Sequence, residues 1–383
     1  MAQASFYTYA DTHARLMDWT GGADSTRTSN LARRAILDAY RDLPMVRNWN
    51  YYYGRGRIVT DDDYSTGTIT YDHTGSTYER ELTLATGTWP TNAAKGVVQI
   101  DGVEYQVDRR ISSSIVTLKS ETNPGADVAA GTSYQWYRDT YTLPRDYRTC
   151  DMLMCLDQSF TMVNGPPGAV LEGRRLNTSP GQPTFYGIVS DPDTPGAMAV
   201  FFDPPPDDQY NIDFIYLRIP YPFRTFDYST GTVTCSASAT VTGSGTAWTS
   251  DMAGSVFRVT SGTETPSGID GSNPYTEEGI VLSVASATSL TLTAALTGTY
   301  SGKKYRLSDL VDVENGAMMS AFLRCCEKNL AWEMHREDAG LKQAAYEAAL
   351  ARAKDADSRS ITRSRWPAVR TLGDMPSASD RGT

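Results

Sequence analysis

One eight-residue phrase occurs twice in this chain and indicates a repeated structural unit. "DYSTGTIT" occupies residues 63–70 and "DYSTGTVT" occupies residues 227–234, so the copies differ at one position and lie 164 residues apart. Ser-Thr-Gly is typical of a turn in which Gly67 and Gly231 adopt a positive φ. Asp and Tyr are expected to end one strand, and the Thr after Gly is expected to begin the next. The phrase therefore predicts the start of a small β-module, entered twice.

The likeness extends beyond the phrase, and its landmarks keep the same order in both stretches. The matching segments are "GTW" at 87–89 with "GTAW" at 245–248, "ISSSIVTL" at 111–118 with "VASATSLTL" at 284–292, and "AGTSYQWY" at 130–137 with "YSGKKYRL" at 300–307. Chance would explain any one pair of Thr/Ser/Gly matches, but four ordered landmarks favour duplication. Short runs rich in Thr, Val, Ile and Tyr predict half-buried strands, and Asp101-Gly102 predicts a tight hairpin.

Helical patterns lie at both ends of the chain. Residues 29–43, "SNLARRAILDAYRDL", predict an amphipathic helix with Ser29 or Asn30 as its N-cap, which Pro44 should end. A Tyr/Trp cluster follows, of a kind more often found in a core than on a contact surface. Near the other end, 312–338 and 341–359 predict an αα-hairpin, with a break at Gly340 and an apolar stripe through Met318, Phe322, Cys325 or Cys326, and Leu330.

Residues 139–226 lie between the two modules and predict a second β-region. The segment "TYTLPRDYRTCDMLMCL" indicates a strand, a turn at Pro144 and then a short helix. The later runs indicate three antiparallel strands, two of them joined by a rigid turn at Pro204–Pro206.

These patterns predict an α+β fold. A helical bundle or hairpin core with a central antiparallel β-region would hold two duplicated, inserted β-sandwich or barrel-like modules, because insertion between loop ends that lie close together costs a scaffold little. The expected boundaries are 1–62, 139–226 and 308–358 for the core, 63–138 for module 1, 227–307 for module 2, and 359–383 for a flexible basic tail.

Composition narrows the possible functions. The net charge of −10 argues against gripping nucleic acid along the whole surface, although DNA would slide past an acidic wall. No apolar run approaches the ~18–20 residues of a membrane span, and the N-terminus lacks a signal-peptide pattern, so we expect the protein to stay where it is made. An odd number of cysteines fits a reducing compartment, and we expect all of them to be small buried apolar residues: Cys150, Cys155, Cys235, Cys325 and Cys326.

No catalytic signature is present in the sequence. Phosphate-loop and nucleophile-elbow motifs are missing, and three scattered histidines (His13, His73 and His335) argue against a zinc site or a catalytic triad. The acidic run at 61–63 is typical of a solvated turn. Asp191 and Asp193 alternate as calcium ligands do, but no Glu follows at the required spacing. We therefore expect no enzyme activity, cofactor or metal.

The tail at 359–383 is locally basic in an acidic chain. It is either a solvated end or a segment that orders on an acidic partner, with arginines pairing carboxylates and a tryptophan filling a pocket. The residues predicted to dock are Arg359, Arg363, Arg365, Trp366 and Arg370.

The arrangement resembles the head-to-tail adaptor (neck or connector) proteins of tailed bacteriophages. The resemblance covers about half of the chain; the Thr/Ser-rich modules depart from the smallest adaptors, which are mainly helical. It rests on "LARRAILDAYRDLPMVRNWNYY", "YTLPRDYRTCDML", "PTFYGIV" with "MAVFFDPPPDDQYNIDFIYLRIP", and "AAYEAALARAKDADSR".

The resemblance implies a homo-oligomeric ring of about twelve subunits beneath the portal, built through heterologous interfaces. The C-terminal part would dock on the portal protein, and the other face would receive tail or nozzle proteins. Genomic DNA would pass through the lumen without sequence-specific binding. The protein would lie in the virion neck after assembly in the bacterial host cytoplasm, without a membrane.

A second class remains open from the residues alone. A carbohydrate- or surface-binding β-protein, such as a tail-fibre or adhesin module, would explain Thr-rich repeats with exposed-looking Trp89 and Trp248. The helical hairpin and the basic tail have no purpose in such a protein.

Overall fold

The computed structural model describes residues 6–21, 26–75, 77–156, 158–176, 179–267 and 274–363. These residues form a mixed α+β structure that divides into unit 1 (1–51 with 220–383) and unit 2 (52–219). Among the described helices, none combines the length and apolar character that crossing a membrane would require. The helices are α1 (Tyr9–Trp19), α2 (Thr26–Met45), α3 (Pro167–Leu176), α4 (Ala317–Glu333) and α5 (Ala339–Arg363).

The strands fall into four sheets. Two are seven-stranded: the sheet within residues 69–137 is called module 1 below, and the sheet within residues 232–309 is called module 2. The other two are four-stranded. The strands are β1 (Tyr53–Val59), β2 (Ile69–Asp72), β3 (Glu81–Leu84), β4 (Val97–Ile100), β5 (Val103–Arg110), β6 (Ile115–Leu118), β7 (Val128–Thr132), β8 (Tyr134–Tyr137), β9 (Thr140–Thr142), β10 (Tyr147–Cys155), β11 (Phe160–Thr161), β12 (Val163–Asn164), β13 (Phe185–Ser190), β14 (Met198–Asp203), β15 (Asn211–Arg218), β16 (Thr232–Ser236), β17 (Thr240–Ser244), β18 (Ser255–Val259), β19 (Glu277–Ser286), β20 (Ser289–Leu292), β21 (Thr299–Lys303) and β22 (Tyr305–Asp309).

The two seven-stranded sheets have the same strand order. Module 1 runs β7-β2-β3-β6-β5-β4-β8, and module 2 runs β21-β16-β17-β20-β19-β18-β22. Numbered within its module, each sheet reads 6-1-2-5-4-3-7. Each sheet surrounds its own apolar core, in which Trp89 and Trp136 are buried in module 1 and Trp248 and Tyr305 in module 2.

The turn predicted for the repeated phrase is confirmed in both modules. Gly67 has φ +86° and Gly231 has φ +89°. A Cβ atom on Gly67 would lie 2.3 Å from the carbonyl oxygen of Thr86, and one on Gly231 would lie 2.5 Å from that of Ser244. Only glycine satisfies both the dihedral angle and the close backbone approach.

The central β-region of unit 2 contains two four-stranded sheets, β1-β15-β10-β11 and β12-β13-β14-β9, which share one apolar core. Gly54 and Gly56 of the edge strand β1 let aromatic rings lie against its backbone. A Cβ on Gly56 would meet the Phe214 ring at 2.4 Å, and one on Gly54 would meet Tyr216 at 3.2 Å.

The helix predicted after Pro144 is wrong, because residues 147–155 form β10. A continuous apolar run does not distinguish a strand from a buried helix by its period, and pairing with β15 decides the outcome. The three later strands exist, but only β13 and β14 pair with each other; β15 belongs to the other sheet. Helices α1 and α3 were not predicted.

The helices of unit 1 bring the two ends of the chain together, since α2 packs on α4 and α4 packs on α5. The predicted stripe of α4 is confirmed, with both of its cysteines buried.

Three predictions of helix boundaries are wrong. Helix α2 begins at Thr26, so neither Ser29 nor Asn30 is its N-cap. Pro44 does not end the helix before it but lies inside its last turn, with Met45 as the last helical residue. Gly340 lies in α5; the break falls near His335, whose φ is +51°.

Candidate interaction surfaces

In module 1 the repeated phrase is hydrogen-bonded to the last strand, so that the start and the end of the module lie side by side. Tyr64 and Trp136 exchange two backbone hydrogen bonds, of 2.8 and 2.7 Å, where the chain enters and leaves the module. The Tyr64 hydroxyl accepts the amide N–H of Thr88 at 2.9 Å. The carbonyl of Thr66 accepts the hydroxyl of Tyr134 at 2.9 Å.

Module 2 repeats these contacts at corresponding positions. Tyr228 and Leu307 exchange backbone hydrogen bonds of 2.8 and 2.7 Å. The Tyr228 hydroxyl accepts the amide N–H of Ala247 at 2.8 Å, and the carbonyl of Thr230 accepts the hydroxyl of Tyr305 at 2.7 Å. The phrase is therefore a structural closure rather than a binding site.

A charge cluster around the buried Arg174 anchors module 1 within unit 2. Arg174 of α3 donates to Asp139 and to Glu104 of β5, both at 2.6 Å, and its guanidinium lies over the Tyr137 ring. Burial alone would lower the pKa of Arg174, but Asp139 and Glu104 raise it, so the guanidinium stays charged. Burial, with Glu104 beside the hydroxyl, raises the pKa of Tyr137.

A second charge cluster anchors module 2 within unit 1. Arg258 of β18 donates to Asp11 at 2.8 Å and to Glu278 at 3.2 Å, and also to the Phe6 carbonyl. Asp11 simultaneously forms the capping box of α1 with Thr8. Against the opposing effect of burial, Asp11 and Glu278 raise the pKa of Arg258. Sequence reasoning missed both clusters, because their members lie far apart in the chain.

The predicted docking tail is only partly described. Arg359 lies on α5, is exposed, and pairs with Asp355 at 2.7 Å one helical turn away. Arg363 is the last residue of α5. Arg365, Trp366 and Arg370 lie outside the described residues.

The other residues singled out from the sequence have structural roles. Asp191 accepts the amide N–H groups of Asp193 and Thr194, at 2.8 and 2.9 Å, so this segment is a carboxylate-stabilised turn. No group of three or more metal-ligating side chains lies together within the described ranges. All five cysteines are buried, as predicted, and none of them forms a disulfide. His13 packs near Ser29 at 3.1 Å, and burial lowers its pKa.

The tryptophans that favoured a surface-binding protein are not exposed. Trp89 is 0% exposed and Trp248 is 3% exposed, and both indole N–H groups donate inside their modules. That expectation was wrong, because each ring fills the core of its own curled sheet. They cannot stack on a sugar.

Unit 2 exposes an apolar surface on the outer face of sheet β1-β15-β10-β11, which we call the sheet patch. Around a cavity of about 450 Å³ it contains Arg55, Met152, Met154, Leu156, Asp213 and Ile215. Ile215 is 61% exposed and Leu156 is 56% exposed. Asp213 accepts hydrogen bonds from Arg57 and Arg55, which lower its pKa. Apolar area of this kind marks interaction sites.

Unit 1 exposes a second surface between α2 and α4, which we call the helix groove. Its cavity of about 540 Å³ is lined by Asp38, Arg41, Asp42, Lys328, Asn329, Trp332, Glu333 and His335. Trp332 is 57% exposed, although it lies in a well-packed helix. Tryptophan is enriched among residues that dominate binding energy.

Comparison with models of protein families and with curated proteins found no match to this chain.

Proposed function

We propose that this chain is a structural virion protein: a head-to-tail adaptor that forms a ring under the portal, extends the DNA channel and joins capsid to tail. The observation that carries this proposal is the nested helical core of unit 1. Arg47, just after α2, pairs with Asp357 of α5 at 3.1 Å, and Asn329 of α4 reaches the Ala35 carbonyl at 3.4 Å. Helices from opposite ends of the chain thus contact one another, although module 2 lies between them in sequence. A helical core with an inserted module would account for this arrangement.

We further propose that the two modules are copies of one inserted β-module. Support comes from the shared strand order and from the matching contacts of the repeated phrase. A chance likeness of short Thr-rich runs would not also reproduce a tyrosine hydroxyl on the same carbonyl of each phrase.

The distribution of charge agrees with a channel protein. Unit 2 contains 13 Lys and Arg against 22 Asp and Glu, a formal charge of −9, whereas unit 1 contains 22 against 23, a charge of −1. An acidic surface facing the lumen would repel the phosphate backbone and let DNA slide without sequence-specific binding. The role requires no catalysis, cofactor or membrane.

The proposed ring has about twelve subunits joined through heterologous interfaces. It would receive tail or nozzle proteins on one face and lie in the virion neck, after assembly in the host cytoplasm. Arg359, Arg363, Arg365, Trp366 and Arg370 would dock on the portal protein.

Removing the tail tests the docking. Deletion of 364–383 leaves α5 intact and should yield a folded protein that no longer binds rings of the portal protein encoded in the same genome. Deletion of 376–383, which spares Trp366 and the arginines before it, is the matched control and should still bind. Portal binding by the longer deletion would rule out Arg365, Trp366 and Arg370 as docking residues. Images of the purified chain, alone and with portal rings, should show a ring of about twelve subunits.

A further inference from the structure

The sheet patch and the helix groove differ in charge. In the patch, Arg55 and Arg57 share the single carboxylate of Asp213, which is almost fully buried. Arg57 donates through Nε and Nη2, at 3.0 and 2.9 Å, whereas Arg55 makes one contact of 3.2 Å and leaves 67% of its side chain exposed. The patch is thus an apolar floor beside the largely exposed guanidinium of Arg55, in the more acidic unit.

The groove has the opposite character. Asp38 and Asp42 lie one turn apart on α2, and no described residue forms an ion pair with either. The groove's other charges are largely engaged: Glu333 pairs with Arg34 at 3.5 Å, and the Lys328 ammonium lies 4.7 Å from the Tyr346 ring centroid. Arg41 is the remaining cation, on the same helix as the two aspartates.

A third observation concerns the apolar side chains. Trp332 projects from the groove as a large rigid group, whereas Met152, Leu156 and Ile215 of the patch surround a cavity. Methionine side chains adapt to the shape of an inserted ring and make favourable sulfur–aromatic contacts. The two surfaces therefore differ in shape and in charge: one presents a projecting ring beside two aspartates, and the other an apolar cavity beside an exposed arginine.

We propose that the helix groove of one copy binds the sheet patch of the next copy, with Trp332 seated among Met152, Leu156 and Ile215. Asp38 and Asp42 of the first copy then face Arg55 and Arg57 of the second. This contact rests on the ring of the proposed function and specifies its interface. It joins two different faces, which is the condition for a heterologous interface that closes into a ring. Patch against patch would instead oppose arginine to arginine.

Disulfide trapping between two single-cysteine variants tests the contact. Trp332→Cys and Ile215→Cys preparations should cross-link when mixed and oxidised, and neither should cross-link alone. The five native cysteines are buried, so their background is low. Val103→Cys, on an exposed strand of module 1, replaces Ile215→Cys in the control mixture and should give no product with Trp332→Cys.

A charge exchange provides the second measurement. Arg55→Glu should lower the cross-linking yield at least tenfold, and combining it with Asp42→Lys in the partner preparation should restore the yield. Absence of product in the mixture, self-cross-linking of either variant alone, or failure of the exchange to restore the yield would overturn the contact. Because portal binding is measured separately, retained portal binding without cross-linking would refute this interface and leave the adaptor role standing.

Discussion

The two modules are held by the same three-part charge cluster, but the arginine comes from different places. The strand registers make Glu104 and Glu278 equivalent, and each pairs with a buried arginine that also binds an aspartate outside the sheet. In module 2 the arginine is Arg258, on the strand next to Glu278. In module 1 that strand position is Gln99, and the arginine is supplied by α3 as Arg174.

The glutamate occupies the equivalent strand position in both modules, whereas the arginine that pairs with it comes from a different element in each. A glutamate at the module edge requires a cation once it is partly buried, whichever element provides it. The surroundings differ too: Arg258 and both of its carboxylates are at most 9% exposed, whereas the Glu104 side chain is 43% exposed. Module 2 is therefore the more dependent on its arginine.

Removing the arginines should have the largest effect and should separate the modules. Arg258→Ala leaves two carboxylates buried without a cation and should cost roughly 3–5 kcal/mol. Arg174→Ala leaves Glu104 partly hydrated and should cost about 1–3 kcal/mol. Hydrogen-exchange protection of β18 and β4 amides measures both. The exposed Arg109→Ala should change protection little, and equal losses in the two modules would contradict the comparison.

Substitution of the glycine in the repeated phrase should destabilise the two modules equally. Gly67→Ala and Gly231→Ala each force a Cβ against a backbone carbonyl and should each cost about 2–3 kcal/mol. Gly125→Ala, at φ +73° with no atom within 4 Å of the added Cβ, is the control and should cost about 1 kcal/mol. Thermal unfolding gives these values; a neutral effect in one module would mean that its phrase does not close it.

A smaller effect is expected from the paired tyrosines. Tyr305→Phe removes the donor to Thr230 and the acceptor of the Trp248 indole N–H, at 2.9 Å, and should cost about 2 kcal/mol. Tyr134→Phe removes only the donor to Thr66 and should cost about 1 kcal/mol. Urea unfolding of both variants measures these losses in the free energy of unfolding. A larger loss for Tyr134→Phe than for Tyr305→Phe would contradict the expected order.

The smallest effect should be a difference in acid sensitivity. Glu277 accepts the hydroxyl and amide of Thr297 and the amide of Gly298, which outweigh burial and lower its pKa. Its stabilisation is therefore complete above the unfolded pKa of about 4.3 and is lost as pH falls through the folded value. Module 1 has Val103 at this position. As the pH falls from neutral to acid, the amides of module 2 should lose more hydrogen-exchange protection than those of module 1. Glu277→Gln should abolish this additional loss.

The parts of the fold that could be predicted from the sequence are those whose conformation depends on residues close together in the chain. The turn of the phrase follows from glycine alone, and the helix at 29–43 from its apolar spacing. Strand β10 was mistaken for a helix because pairing with a distant strand decides the conformation of an apolar run. Helix α3 was missed because it begins at Pro167-Gly168 and contains Gly173, which a propensity argument reads as loop.

The candidate surfaces could not be predicted from the sequence, because their residues become neighbours only through strand pairing and packing. The sheet patch combines Arg55, Met152 and Ile215, which become neighbours only through the registers of β1, β15 and β10. The helical pattern at 312–338 does not distinguish Trp332 from the other apolar residues of the helix, and only packing leaves it uncovered. Conversely, Trp89 and Trp248 looked exposed in Thr-rich sequence and lie in the cores of curled sheets.

The paired backbone hydrogen bonds between Tyr64 and Trp136, and between Tyr228 and Leu307, have a practical consequence. The chain enters and leaves each module at one antiparallel residue pair, whose Cα atoms lie about 5.5 Å apart when both bonds are made. Any folded domain whose own ends are that close is a sterically suitable replacement, because the flanking backbone need not move. The two junctions are therefore ready-made attachment points for a fluorescent or affinity tag carried within the chain rather than at its ends.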